Sequence, residues 1–370
     1  MRKPLFRRIK RWVPISSAVM LSALLFAACG GNSPTILSPQ GPVASQESGL
    51  FTFILVVATI VFVAVEGWLI FSIVRYRERP GMPHPRQIQG NNTVEIIWTV
   101  VPSIFLFAVL AGTIYTMFNL QNISSINGAG RLEVKAVGHQ WWWEFDYPSL
   151  GNITTADTLY VPQGSVIQAD LVSNNVIHSF WIPQITGKTD VIPGHNNKQI
   201  FRADTLGEFR GECAEYCGTQ HAHMNFSVVV LSQDAFNVWA SSAQQAAASP
   251  TDALAQKGQQ IFKTTGACAG CHGIVGVNLS SYTDPKAPSL VGPNLTHFGS
   301  RHLIAGGVLE WGRPGDTSCD IVNGQVKDPA NCGIYQWLSD TQKYKPGNDM
   351  VVSLTPDQIT ALVAYLESLK

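Results

Sequence analysis

GECAEYCGTQHAHM, residues 211–224, gathers Cys213, Cys217, His221 and Met224 in the spacing Cys-x3-Cys-x3-His-x2-Met. Two thiols, an imidazole and a thioether make a soft donor set, which selects copper over magnesium or calcium. The stretch runs into MNFSVVVL, an apolar segment of β character, so the donors lie on a loop that leads into a strand. A copper loop in this position takes one more histidine from an earlier strand, and His178 in NNVIHSFWIP stands 35 residues before Cys213. Two other readings of the residues stay open. A Cys213–Cys217 disulfide leaves His221 and Met224 unexplained, and zinc is disfavoured by the thioether.

Around that loop, from Arg131 onward, apolar residues alternate with polar ones. LEVKAV, TLYV, SVIQADLV and KQIFRA are short segments separated by Gly, Pro and Asn turns. They predict an antiparallel sandwich or barrel, an all-β domain over 121–240. SSAQQAAASPTD, around 241–252, reads as a small-residue linker. Over 253–370 the period turns helical, from LAQKGQQIFKTT to TPDQITALVAYLESL, with Thr355 as N-cap and Pro356 opening the last helix.

The chain has 370 residues, of which 45% are apolar and 14% charged. Soluble domains average roughly 25% charged, so part of this chain belongs in lipid. Residues 50–74 carry one charge, Glu66, over a length that suits a tilted transmembrane helix, and residues 96–120 form a second such run. Between them RYRERPGMPHPRQ holds Arg75, Arg77, Arg79 and Arg86 against Glu78, which places this loop in the cytoplasm and everything beyond residue 120 outside. MRKPLFRRIKRW and the short apolar run after it read as a secretory signal over 1–28. Ala27-Ala28-Cys29 resembles a bacterial lipoprotein box, which would leave a lipidated Cys29 at the head of a linker over 29–49. The net charge of zero divides into +6 over 1–119, −5 over 120–249 and −1 over 250–370, with no basic patch suited to nucleic acid.

CAGCH, residues 268–272, is the C-x-x-C-H haem attachment pattern, in which Cys268 and Cys271 form thioethers and His272 ligates iron. A thioredoxin-like pair is the alternative, but no βαβ unit surrounds the motif. Met350 is the only methionine after Met224 and is therefore the candidate second axial ligand. Cys319 and Cys332 remain, and in an exported chain they are expected to form a disulfide.

GHQWWWEFDY, VIHSFWIP, KTDVIPG and GECAEYCGTQHAHM together resemble subunit II of the haem–copper cytochrome c oxidases, from about Phe51 to Trp239. The C-terminal segment resembles the small class I cytochromes c. The resemblance implies a multidomain membrane protein: a two-helix transmembrane hairpin over 50–120, an all-β cupredoxin-like domain and an all-α cytochrome c domain. It implies a binuclear copper centre, CuA, bridged by Cys213 and Cys217. His178 and His221 would cap one copper each, with Met224 and the Glu215 carbonyl as weak ligands. The Glu215 carboxylate would reach a Mg2+ shared with subunit I.

Further roles follow from the same resemblance. Trp141 would admit electrons, while Trp142 and Trp143 pack the sandwich. Glu95 would sit at the mouth of a proton path into subunit I, and Pro293 would orient His272 through its carbonyl. Glu66 receives no role. His195 after PG, Trp142 in place of a frequent tyrosine and Val351 after Met350 depart from the common pattern, none at a ligand.

The expected function is electron transfer in a bacterial plasma membrane, with the copper and haem domains on the outer face. Electrons would pass from an upstream donor (a cytochrome c or another respiratory complex) to haem c, to CuA and to subunit I, where oxygen is reduced to water. Subunit I and other membrane subunits are the implied partners. A copper-trafficking lipoprotein would need neither hairpin nor covalent haem, nitrous oxide reductase shares CuA but lacks the hairpin, and a quinol oxidase subunit would have lost the copper ligands. With charges of −5 and −1, the two outer domains show no evident attraction. The linker is therefore expected to act as a flexible tether giving an effective concentration of about millimolar, with a weak, largely apolar contact near Trp141.

Overall fold

The computed structural model describes residues 34–82, 87–125 and 131–370; the signal-like segment 1–28, Cys29 and Arg86 lie outside them. Two long helices come first, α1 (Pro42–Arg75) and α2 (Asn92–Ser125). Both are long and apolar enough to cross a membrane, with mean hydropathy of 2.6 and 2.2 in their best stretches, and their apolar side chains are largely exposed. Several hydroxyls within them are satisfied locally. Thr59, Ser72, Thr99, Ser103 and Thr113 each donate to the carbonyl four residues back, which a hydroxyl surrounded by hydrocarbon must do.

α1 begins earlier than the apolar run suggests. Its first turns are polar and stand on the sandwich rather than in lipid: Gln40 N–H donates to the Gln184 carbonyl at 2.6 Å and Ala44 N–H to Ile185 at 3.3 Å. The segment expected as a linker over 29–49 is thus partly helical. Hydropathy detects the part of a helix that meets lipid and is blind to the part that meets protein.

Ten strands follow: β1 (Arg131–His139), β2 (Trp142–Tyr147), β3 (Ile153–Ala156), β4 (Thr158–Pro162), β5 (Val166–Ser173), β6 (His178–Ile182), β7 (Thr186–Val191), β8 (Asn197–Arg202), β9 (Gly207–Cys213) and β10 (Asn225–Leu231). They form two five-stranded sheets, ordered β3-β2-β1-β5-β8 and β4-β10-β9-β6-β7. The sheets are mixed, not purely antiparallel, because β1 pairs β5 and β10 pairs β4 in parallel. Side-chain alternation has period two in either direction, so this correction could not be read from the sequence. Trp143, Phe145, Phe180, Phe201 and Phe226 fill the space between the sheets, all essentially without solvent contact.

α3 (Gln233–Ala243) packs against β4 and β10. The helical domain contains α4 (Ala253–Lys263), α5 (Gly333–Ser339), α6 (Thr341–Tyr344) and α7 (Pro356–Ser368), with α4 crossing α7. A capping box starts α7: the Thr355 hydroxyl accepts from Gln358 N–H and the Gln358 amide oxygen accepts from Thr355 N–H. Cys319 and Cys332 are joined in a disulfide that closes a loop beside α5.

The segment between α3 and α4 is not a free tether. Ala247 N–H donates to the Val275 carbonyl at 3.0 Å, the Tyr282 hydroxyl donates to the Ala243 carbonyl at 3.0 Å, and His297 Nε2 lies 3.2 Å from the carbonyls of Ala243 and Gln245. Small residues suit a flexible linker and a closely packed one equally well, so composition alone misjudged this stretch.

The buried Tyr147 hydroxyl accepts from Tyr160 N–H at 2.8 Å and donates to the Tyr160 carbonyl at 3.1 Å, bonding one sheet to the other. Tyr147→Phe leaves both backbone groups without that partner and is expected to lower stability by about 1–3 kcal/mol. Thermal unfolding of the β-domain followed by ellipticity measures the loss.

Candidate metal and haem sites

The copper loop is a hairpin connection between β9 and β10, closed by Cys213 N–H donating to the Met224 carbonyl at 3.0 Å. On its other edge β9 pairs with β6, with Phe180 opposite Cys213. That register sets His178, two residues from Phe180 on the same face, beside the Cys213 sulfur. Here Cys213 Sγ and Cys217 Sγ lie 3.8 Å apart. His178 Nδ1 is 3.8 Å from Cys213 Sγ, and His221 Nδ1 is 3.7 Å from Cys217 Sγ. Met224 Sδ stands 3.8 Å from Cys217 Sγ, and the Glu215 carbonyl is 3.3 Å from Cys213 Sγ. His178, Cys213 and Cys217 could hold a metal between them, with ligand atoms all within 4.8 Å of one another.

The donors are oriented as well as gathered. His178 Nε2 lies 3.0 Å from Asn175 Oδ1, which fixes the proton on Nε2 and leaves the Nδ1 lone pair facing sulfur. Contact between the two sulfurs pulls the Cys213 thiol below the usual thiol range and pushes the Cys217 thiol up. Soft, buried and converging, this set fits copper.

The Cys217 carbonyl accepts from two side chains, Gln140 Nε2 at 2.7 Å and Trp141 Nε1 at 3.0 Å. Trp141 is only half buried, whereas Trp143 lies wholly in the core and Trp142 stacks on His139 with ring centroids 4.1 Å apart. Trp141 also lines a cavity of about 380 Å3 whose other walls include Cys268, Cys271, His272 and Met350. His272 Nδ1 lies 2.9 Å from the Pro293 carbonyl, which directs Nε2 into that space. Ile334, Leu338 and Leu362 supply apolar lining. Two attachment thiols, an oriented imidazole, a thioether and an apolar cavity fit a covalently held haem.

The remaining candidates lie apart. The Glu215 side chain is exposed to solvent, although its carbonyl faces Cys213. Glu95, at the start of α2, accepts from Asn91 N–H at 3.3 Å, a helix-end contact that by itself assigns no proton path.

Three residues escaped the sequence reading. Asn175 orients His178 but looks like an ordinary turn residue. Lys345 and Asp157 are 3% and 6% exposed and lie where the two outer domains touch, each bonded to the Ala305–Gly306 peptide. Burial pulls the Lys345 ammonium down to about 8, against upward pulls from Asp157 and the Cys217 sulfur. Desolvation raises the Asp157 carboxyl, opposed by Lys345 and by hydrogen bonds from Trp143 and Gly306 N–H.

Comparison with known proteins agrees with this layout. Residues 38–114 match the family model for the transmembrane domain of cytochrome c oxidase subunit II, residues 152–233 that for its periplasmic domain, and residues 255–370 that for cytochrome c. Cytochrome c oxidase subunit 2 of Alkalihalophilus pseudofirmus is 32% identical, over 99% of this chain and 98% of the relative. Its namesake in Bacillus sp. strain PS3 is 34% identical over 95% of each chain, and that of Bacillus subtilis 31% identical over 98% of this chain and 99% of the relative.

Two variants probe the sites. Asn175→Ala frees the His178 ring and is expected to weaken copper binding about 10–100-fold, measured by chelator competition. Cys217→Ser is expected to abolish the near-infrared copper band while covalent haem stays at one per chain, since no haem-attaching side chain is altered; copper and haem quantified per chain decide it.

Proposed function

The chain belongs to the cytochrome c oxidase subunit II family, fused to a cytochrome c domain, and on that premise we propose that electrons pass from haem c to a binuclear copper centre within this one chain. It is a membrane subunit through which electrons enter the oxidase, with two apolar helices, an outward β-domain and association with subunit I of the complex. Copper and haem c are its cofactors. Bound there, they supply reversible one-electron exchange.

The chain's own residues do the rest. Cys213 and Cys217 would hold the copper through their sulfurs, His178 and His221 through their imidazoles, and Met224 and the Glu215 carbonyl would be weaker donors. Two thiolates shared by the bound copper would supply soft, electron-rich donors suited to reversible one-electron exchange. Cys268, Cys271, His272 and Met350 hold the haem, with Pro293 orienting His272. The Glu215 carboxylate is assigned to a Mg2+ shared with subunit I, and Glu95 to a proton path on the opposite side of the membrane. The mature chain is proposed to begin at an acylated Cys29, which intact mass of the membrane-extracted subunit tests; finding residues 1–28 on it removes the idea.

One observation carries the internal route. Trp141 donates its indole N–H to the Cys217 carbonyl and also lines the cavity that holds Cys271, His272 and Met350. No other aromatic side chain of the WWW run donates to the copper loop. After flash reduction of haem c in the purified oxidase, copper reduction should be first-order and independent of protein concentration. A rate that scales with protein concentration would sink internal delivery. Trp141→Phe keeps a ring but removes the indole N–H; it is expected to slow this transfer by about tenfold or more while copper content is unchanged, the scale of adding about 1.4 kcal/mol to the activation barrier.

A further inference from the structure

We propose that Lys345 is a positioning residue for this electron delivery: its ammonium clamps the haem-bearing domain onto the backbone that frames the copper loop. The inference rests on the reading of haem c as the internal donor. Lys345 follows α6 and precedes Met350 by five positions, so it belongs to the segment that carries the candidate axial ligand. Its Nζ donates to the carbonyls of Trp141 at 2.6 Å, His223 at 2.8 Å and Ala305 at 2.6 Å. Three donors meet three acceptors, leaving none unbonded. Two of the acceptors lie in the copper domain, one on the residue that touches Cys217 and one inside the loop between His221 and Met224. The third lies in the haem domain.

Asp157, between β3 and β4, completes the clamp from the other side. Its Oδ1 accepts from Trp143 N–H at 2.9 Å and its Oδ2 from Gly306 N–H at 3.0 Å. Gly306 N–H and Ala305 C=O are the two ends of a single peptide group. One peptide of the haem domain is therefore held between a carboxylate on its N–H and an ammonium on its carbonyl, both charges buried. Charge-assisted bonds of this kind are about twice as strong as neutral ones. The Gly306 carbonyl in turn accepts from Asn225 N–H at 3.0 Å, next to Met224.

The turn fits only without a side chain. A Cβ on Gly306 would lie 2.4 Å from the His223 carbonyl oxygen, 2.8 Å from Lys345 Nζ and 3.0 Å from the Trp141 carbonyl oxygen. Its φ of +69° is also one that glycine tolerates best. Net charge gives no hint of this contact, since it resides in a few buried charges, Lys345 and Asp157 with Arg301 nearby, that any sum over the chain conceals. A lysine serving only its own domain would have no reason to bond the carbonyls of Trp141 and His223.

The test uses the whole purified oxidase and two variants that touch no cofactor ligand. Lys345→Met keeps the length of the stem and removes the donors. Gly306→Ala keeps the ammonium and wedges the domains apart. In both, covalent haem and the near-infrared copper band should be retained. Flash-induced transfer from haem c to copper should slow by about tenfold or more, because only the docked fraction is competent. It should also become dependent on solvent viscosity, since the domain must now diffuse into place, whereas the unaltered protein should show no such dependence. A wild-type, viscosity-independent rate in either variant that retains both cofactors overturns the clamp and leaves internal delivery standing. Loss of copper or haem in both variants also overturns it, by making these residues part of the fold rather than of docking. Transfer that scales with concentration in the unaltered protein strikes instead at the internal route.

Discussion

β9 is the strand on which the electron-transfer end of this molecule depends, because it pairs on both edges. Pairing with β6 sets Phe180 opposite Cys213 and so delivers His178 to the sulfur. Pairing with β10 closes the loop from Cys213 to Met224 into a hairpin whose ends are bonded to each other. A slip of one residue on either edge would turn a ligand to the opposite face of the sheet. The aromatic core resists that slip: Phe180 and Phe226 stack with centroids 5.0 Å apart, and Trp143 meets both. The soft donor set is thus positioned by apolar packing some distance away, and ligand geometry follows from strand register.

The second level of order is the meeting of the two outer domains, and its physics is that of buried charge. A surface pair such as Arg313 and Glu208, 3.3 Å apart and solvated, adds little. Lys345 and Asp157 differ because water is excluded, so each must find full hydrogen bonding or cost several kcal/mol. Each does find it, and only in the docked arrangement. Pulled apart, the ammonium would lose two of its three carbonyls and the carboxylate would lose the Gly306 N–H. A buried charge of this kind punishes misplacement more than it rewards contact, which suits a function set by distance between redox groups.

Much of the site could be read from the chain because its chemistry is local in sequence. Cys213, Cys217, His221 and Met224 lie within one loop, and Cys268, Cys271 and His272 are adjacent, so spacing alone announces a donor set. His178 needed a strand argument and Met350 an argument by elimination, since distant ligands leave no periodic trace. Lys345, Asp157 and Gly306 left no signal at all. Their partners are backbone carbonyls and N–H groups, which every residue possesses. The parallel pairings of β1 with β5 and β10 with β4 were hidden for a related reason, as alternation records which face is buried and not which neighbour lies alongside.

The expected flexible tether and the observed pinned one lead to different physics. A free linker raises encounter frequency and leaves geometry to chance, which calls for an effective concentration. Here residues 243–247 are bonded to Tyr282, His297 and Val275, so the connection itself is part of the haem domain's surface. The domain then has little arc through which to swing. Holding it in one place costs conformational entropy once, at folding, rather than at every electron. The short connection and the Lys345 contacts both act in that direction. If the proposed docking holds, the rate within the chain would be set by the path from the haem cavity through Trp141 to the Cys217 carbonyl, and salt should matter chiefly where an external donor arrives.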